Sequence, residues 1–229
     1  MTDIAWFAGL FEGEGSVSVT KPRKDRNSKG IALRLTSTDA DVLDLISDRV
    51  GLGSITGPFD PPSRLGKKKV WHWQLTGVAA VELLREIQPF LGYRRSGKIE
   101  EAIAEWENRE RRAIRLPKMN GPVYVSGPMT GYDLHNYPAF ESISYKLRNF
   151  GVDVISPHEL SDPSDSTDWD WFLRRDIVEL TKCNTIALLP GWLKSRGAKL
   201  EHHIGKELGM SVFYPPQLDQ WIAREESKS

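Results

Sequence analysis

Residues 122–131 read Pro122-Val123-Tyr124-Val125-Ser126-Gly127-Pro128-Met129-Thr130-Gly131. Two β-branched residues flanking an aromatic one suit a short buried strand, and the Gly-Pro that follows ends it. The same theme continues downstream. The spacing predicts a helix over 138–149 with Asn136 as a candidate cap, a strand over 152–155 and a helix over 169–181. A strand over 185–189, a helix over 197–208 and a strand over 211–214 follow. The order βαβαβαβ implies a parallel sheet with helices on both faces, and ligands on such sheets bind at the carboxyl ends of the strands. The loop 126–131 leaves the first strand at that end, and its glycines let backbone approach a ligand closely.

Upstream lies a Pro- and Gly-bearing break, Leu116-Pro117-Lys118-Met119-Asn120-Gly121-Pro122. It separates a domain over 1–116 from one over 122–216 and leaves 217–229 as a tail, with Trp221 a candidate for packing and a charged end expected to fray. The first half has its own order. An apolar segment over 4–11 ends at Gly13-Glu14-Gly15, and an alternating run, Ser16-Val17-Ser18-Val19, follows. After a basic stretch comes a second alternating run over 31–35. Asp39 is placed to cap a helix bearing Val42, Leu43, Leu45, Ile46 and Val50 on one face, closed by Gly51 and Gly53. Strands near 54–56 and 69–76, a helix over 78–87 and a charged, proline-free helix over 97–115 complete an αββαββα pattern.

The chain has 229 residues, 39% hydrophobic and 27% charged, as in ordinary globular domains, and the length suits two domains. No apolar run approaches the ~20 residues of a membrane span. No basic segment followed by an apolar core marks a secretion signal. The single cysteine, Cys183, excludes an internal disulfide, so a cytoplasmic location is expected. Cys183 itself reads as a small buried residue, and His158, His202 and His203 lack metal-ligand spacing. The formal net charge of zero hides an asymmetry: residues 1–118 hold 20 Lys+Arg against 16 Asp+Glu, the remainder 11 against 15. A basic half beside an acidic half is expected when only one of them meets nucleic acid.

Phe7-Ala8-Gly9-Leu10-Phe11-Glu12-Gly13-Glu14-Gly15 resembles the motif of the LAGLIDADG homing endonucleases. The small residues Ala8, Gly9 and Gly13 would let two such helices approach, and acids at their ends would meet at one axis. The resemblance extends through Gly51-Leu52-Gly53-Ser54-Ile55 and Gln88-Pro89-Phe90-Leu91 with Arg94 and Arg95, over residues 3–112. It implies a homodimer on double-stranded DNA, with Glu14 holding Mg²⁺ at the scissile phosphate and Glu12 structural. The four-stranded sheet would face DNA, with Lys21, Arg23, Lys24, Arg26 and Lys29, then Arg64, Lys67, Lys68 and Lys69, on its loops and Arg94 nearby. Arg34, Trp71, Trp73 and Gln74 alternate between faces, so only some would reach bases. Ser37 and Arg94 stand where many cutting members carry Gln and Lys. Two readings therefore stand for this half: a nuclease, and a DNA-binding domain that no longer cuts.

The second half combines Tyr124-Val125-Ser126-Gly127-Pro128-Met129-Thr130-Gly131 with Asn136-Tyr137-Pro138 and Asp170-Trp171-Phe172-Leu173-Arg174-Arg175-Asp176. Further on stands Pro190-Gly191-Trp192-Leu193-Lys194-Ser195-Arg196-Gly197-Ala198-Lys199-Leu200-Glu201. Together they resemble a family common in phage genomes within the nucleoside 2-deoxyribosyltransferase-like superfamily, over residues 122–214. Breaking an N-glycosidic bond builds positive charge at C1′, which a carboxylate can stabilise or trap, while a second acid protonates or orients the leaving base. The resemblance assigns the first role to Glu201 and the second to Asp176. It implies a phosphate-binding role for Ser195, which opens a helix with Gly197, so a deoxynucleoside 5′-monophosphate is favoured over a free deoxynucleoside. Ser126, Gly127, Met129 and Gly131 would line the sugar site, with Trp192, Met129 or Tyr132 stacking on the base.

The expected fold is thus α+β joined to a Rossmann- or flavodoxin-like α/β domain, and the expected protein is phage-type and bifunctional. It would be a deoxynucleotide N-glycosidase or base transferase joined to a DNA-binding, DNA-cutting half-unit, with Mg²⁺ serving the latter alone. The alternative is a non-catalytic DNA-binding protein whose second domain senses a nucleotide.

Overall fold

The computed structural model describes residues 3–19, 30–60, 68–110, 116–160 and 168–228, with side chains only to 107 in the third stretch. The chain divides into two compact units, Met1–Ile114 and Arg115–Ser229.

The first unit runs α1 (Asp3–Glu14), β1 (Ser16–Val19), β2 (Ile31–Ser37), α2 (Ala40–Val50), β3 (Ser54–Phe59) and β4 (Val70–Thr76). Then come α3 (Gly77–Ile87), a 3-10 turn and α4 (Tyr93–Glu110), which starts four residues earlier than the sequence suggests. The strands form one antiparallel sheet in the order β1-β2-β4-β3. Alternation sorts its faces. Leu33 and Leu35 pair with Leu75 and Trp73 in register, and all four are buried. Trp73 is fully buried, packs edge-on to Phe7 of α1 at 5.4 Å and donates its indole N–H to the Leu52 carbonyl at 3.0 Å. Asp39 occupies the cap position of α2, but its side chain makes no cap bond. Instead its backbone N–H donates to Ser37 Oγ at 3.0 Å, so Ser37 is spent on the β2–α2 turn. Gly51 ends α2 at φ 70°, a conformation open to glycine without strain.

The second unit runs β5 (Val123–Ser126), α5 (Tyr137–Asn149), β6 (Val154–Ile155), α6 (Trp169–Leu180), β7 (Thr185–Leu188), α7 (Arg196–Glu207), β8 (Ser211–Phe213) and α8 (Pro215–Glu226). Its sheet is parallel, in the order β6-β5-β7-β8. β5 and β7 are buried along their whole length, which is why they read as unbroken runs of small and apolar residues. The chain moves from β5 outward to β6, then returns to the other side of β5 for β7. The crevice between the ends of β5 and β7 is therefore the topological switch point.

Residues 217–229, expected as a tail, belong mostly to α8. Pro215 and Pro216 fill the first positions of this helix, where a missing N–H costs nothing. Leu218 and Ile222 are buried in the core, and Trp221 meets Phe150 edge-on at 5.8 Å. Among the described residues no helix is long and apolar enough to cross a membrane.

Candidate active site and candidate nucleic-acid interface

A cleft of about 360 Å³ opens at the carboxyl ends of β5 and β7, within the range of small-molecule sites. Gly127, the first residue after β5, lets the walls close: a Cβ there would lie 2.8 Å from Leu189 Cβ. Met129 and Thr130 follow it along the wall, Tyr137 and Phe140 enter from the start of α5, and Trp169, Phe172 and Leu173 enter from α6. Asp176 and Glu201 bring two carboxyl groups into this mostly apolar space.

Glu201 sits in the second turn of α7 and is only 5% exposed. Both carboxylate oxygens are held from the sheet. The Tyr124 hydroxyl donates to Oε1 at 2.7 Å, and the Ser126 hydroxyl donates to Oε2 at 2.5 Å. Tyr124 and Ser126 are alternate residues of β5, so their side chains leave the same face of the strand. Burial pushes the Glu201 carboxyl from 4.5 up to about 7, the two hydroxyls oppose this, and the negative charge of Asp176 adds to it. Burial, then Glu201, raise the Tyr124 phenol well above its usual 10, so it remains a donor. Asp176 is also raised, chiefly by burial and against the pull of Arg175. The Arg175 guanidinium donates to Asp176 Oδ1 at 2.8 Å and to the Leu160 carbonyl at 3.0 Å.

The remaining expected substrate residues divide. Gly127, Met129, Ser195 and Gly197 line the cleft together with Glu201 and Asp176. Ser126 is fully buried and faces Glu201. Gly131, at φ 81°, lies in a turn outside the lining. Trp192 has no surface at all: it packs on His202 at 4.6 Å and Tyr214 at 5.9 Å. The stacking role expected of Trp192 is thus replaced by a core role, because the apolar run from Leu188 to Leu193 folds back under α7 before Ser195. Tyr132 is likewise outside the lining. The aromatic wall is formed instead by Tyr137, Phe140, Trp169 and Phe172. Trp169, Phe172, Leu173 and Asp176 follow the i, i+3, i+4, i+7 spacing of one helix face, a signal present in the sequence.

Ser195 caps α7, its Oγ accepting from the Ala198 N–H at 3.2 Å. Asn136 precedes α5 without capping it. Its Nδ2 donates instead to the Pro128 carbonyl at 2.9 Å. Leu134, His135 and Asn136 all have φ between 50° and 61°, a costly left-handed run for residues other than glycine. The Asn136 bond ties that run to the loop after β5, and it presents His135 to the cleft. Below the site, burial pushes His202 down from 6.5 to about 4, and its Nε2 meets the Tyr214 hydroxyl at 3.0 Å. Burial pushes the Cys183 thiol up to about 11, which marks it as an inert core group.

In the first unit, Glu14 is the exposed last residue of α1. Glu12 has a structural partner: its Oε2 accepts from the Gly92 N–H at 3.1 Å. Arg95 locks the same junction, donating to the carbonyls of Glu12 at 2.5 Å and Gly15 at 2.6 Å. Arg94 is exposed beside it. Of the small residues in α1, Ala8 is buried in the unit's own core. Gly9 and Gly13 lie on an open face with no atom within 4 Å of an added Cβ. Among the described residues no group of three His, Cys, Asp or Glu side chains forms a metal cluster.

The sheet's outer face is polar. Ser16, Arg34, Gln74 and Ser54 form one row across all four strands, and Arg34 donates to Gln74 Oε1 at 2.8 Å. The next row joins Thr36, His72 and Thr56, with Thr36 Oγ1 and His72 Nδ1 2.8 Å apart. Trp73 faces the core, so it is not available on that surface. Lys68 is exposed, and Lys69 pairs with Asp60 at 2.6 Å. Lys21, Arg23, Lys24, Arg26, Lys29, Arg64 and Lys67 lie outside the described residues.

A domain family of unknown function, DUF4406, matches residues 121–214. No curated protein matches the chain. Similar solved structures include the I-SmaMI LAGLIDADG homing endonuclease bound to cleaved DNA, at 13% identity and TM-score 0.39, over 48% of this chain and 37% of that one. The homing endonuclease I-CvuI in complex with the I-CreI target is similar at 14% identity and TM-score 0.37, over 78% of this chain and 94% of that one. The chain thus spans 37% of the length of the I-SmaMI chain it matches.

Proposed function

We propose that the second unit breaks the N-glycosidic bond of deoxynucleosides or their 5′-monophosphates, releasing the base or passing the sugar to another base. The observation that carries this reading is the Glu201 carboxylate, buried in a cleft and gripped on both oxygens by Tyr124 and Ser126. With the sugar over it and the base against Phe172 and Trp169, the ionised Glu201 would meet the positive charge growing at C1′ or bond to that carbon. Asp176, raised by burial, would protonate or orient the departing base. Water or a second base would then take the sugar. Incubation with each deoxynucleoside 5′-monophosphate should release free base, and Glu201→Ala should abolish it. Tight binding without release would instead make the second unit a nucleotide sensor.

For the first unit we infer docking on duplex DNA through the polar outer face of its sheet, as a homodimer joined along the open Gly9 and Gly13 face of α1. Donors and acceptors of Arg34, Gln74, His72 and the flanking Ser and Thr residues suit base edges, and the basic residues of 1–118 suit phosphates. Glu14, with its copy from a second chain, offers oxygen ligands that suit Mg²⁺, which would polarise the scissile phosphate when bound. Plasmid nicking that requires Mg²⁺ and disappears in Glu14→Gln would establish a nuclease. DNA retention in mobility shifts with no nicking by the native chain would leave a binding domain alone.

A further inference from the structure

We propose that Arg196, stacked on Trp169 beside the cleft, is the group that selects substrates bearing a 5′-phosphate, by leaving the indole to meet the anion. The inference rests on the glycosidic reading of the cleft and names the substrate class of that same site.

Arg196 is the first residue of α7, and its neighbours Ser195 and Gly197 both line the cleft. Its guanidinium carbon lies 4.5 Å from the Trp169 ring centroid. Trp169 is the first residue of α6 and also lines the cleft, so the stack joins the starts of two helices at the cleft. Arg196 is exposed, and among the described residues no carboxylate forms an ion pair with it. The first turn of α7 holds Arg196 and Lys199 and no acid, so the positive end of the helix dipole is reinforced where proteins usually offset it. Of the two acids in the cleft, Glu201 is held by two hydroxyl donors and Asp176 by Arg175.

A cation–π stack at an exposed site is a weak bond, whereas a guanidinium can grip a phosphate with two parallel charge-assisted hydrogen bonds. The exchange is therefore downhill once a phosphate arrives. A free nucleoside offers no such partner and leaves the stack in place. Arg196 thereby separates nucleotide from nucleoside without touching the reacting carbon.

The test uses the full chain carrying Glu201→Gln, which binds without turnover. Calorimetric affinities for the four deoxynucleoside 5′-monophosphates are compared with those for the matching deoxynucleosides, with and without Arg196→Ala. The preference for monophosphate over nucleoside should fall at least about tenfold in the double variant, and Arg196→Lys should recover only part of it. Adding monophosphate should also change the tryptophan fluorescence, and Trp169→Phe should remove that change. A preference that survives Arg196→Ala overturns this inference and leaves the glycosidic reading standing. Failure of the Arg196-intact chain to bind any nucleotide or nucleoside overturns both.

Discussion

Replacing Glu201 by Gln should make the second unit more stable at alkaline pH, a result opposite to that of most substitutions of buried, hydrogen-bonded residues. A carboxyl raised from 4.5 to about 7 has an ionised form disfavoured in the folded chain by about 3 kcal/mol. Above pH 7 the native chain carries that cost, and Gln, uncharged and close in size, does not. The sign follows from proton binding. As pH falls from 7 to 4.5 the folded chain takes up the Glu201 proton first, so acidification stabilises it. His202, lowered from 6.5 to about 4, acts in the other direction. Between those values the unfolded chain binds its proton first, and about 3 kcal/mol is lost. The two slopes overlap from about pH 6.5 to 4.5 and nearly cancel in the native chain. Glu201→Gln leaves His202 alone. The variant should be more stable than native by up to about 3 kcal/mol at pH 8, match it near pH 4.5, and fall steadily in between. Urea unfolding across this pH range, followed by hydrogen exchange at the amides of β5 and β7, reads the second unit separately. A variant no more stable than native at pH 8 would refute the reasoning, because the carboxylate would then carry no desolvation cost.

Base release should show an acidic limb near pH 7 in kcat/KM, and Ser126→Ala, which removes a hydrogen bond that favours the charged form, should move that limb up by about one unit; an unmoved limb would exclude Glu201 as its source. Trp73→Ala should destabilise the first unit by about 3–5 kcal/mol, read as a shift in its urea midpoint, since a fully buried indole and its bond to Leu52 are lost together. Arg95→Ala should cost about 2 kcal/mol in the same assay by leaving two carbonyls of the α1 end without their charged donor, and should speed exchange at Gly15.

Both chain patterns were legible because burial imposes periodicity. The alternation in β2 and β4 and the unbroken buried runs of β5 and β7 each follow from how many faces of the strand are covered. α8 was missed because Pro215-Pro216 and a charged end suggest chain termination. The proline pair suits a first turn equally well, and Leu218, Trp221 and Ile222 carry the helical spacing. Residue type misled at Trp192, where an aromatic near a loop suggested a ligand platform but the flanking Leu189 and Leu193 signal burial. Glu201, Asp176, Ser195 and Gly197, expected together from the motifs that carry the resemblance, all line one cleft. The partnership of Ser126 and Tyr124 with Glu201 was not legible in those motifs. It joins residues 75 and 77 positions apart, and only the packing of α7 over β5 brings them together. Nothing in the sequence announces the left-handed run at 134–136 or the seat of Arg196 on Trp169.

The cost carried by Glu201 bears on why a carboxylate is there. Two hydroxyls converging on one side chain could be satisfied by an amide at position 201, because each hydroxyl both donates and accepts. An amide would still answer both hydroxyls and would avoid the desolvation of a negative charge. Structural need therefore does not explain an acid at this position. Nor does complementing the helix dipole, which a solvent-exposed acid in the first turn would do at no burial cost. What a buried, half-ionised carboxylate provides is charge in a water-poor cleft at neutral pH, aimed from the strand ends at whatever fills the aromatic pocket. Strain of this kind is retained where chemistry uses it. The two hydroxyls fix its direction, and burial, with a smaller push from the charge of Asp176, keeps its proton affinity high enough to titrate near neutrality.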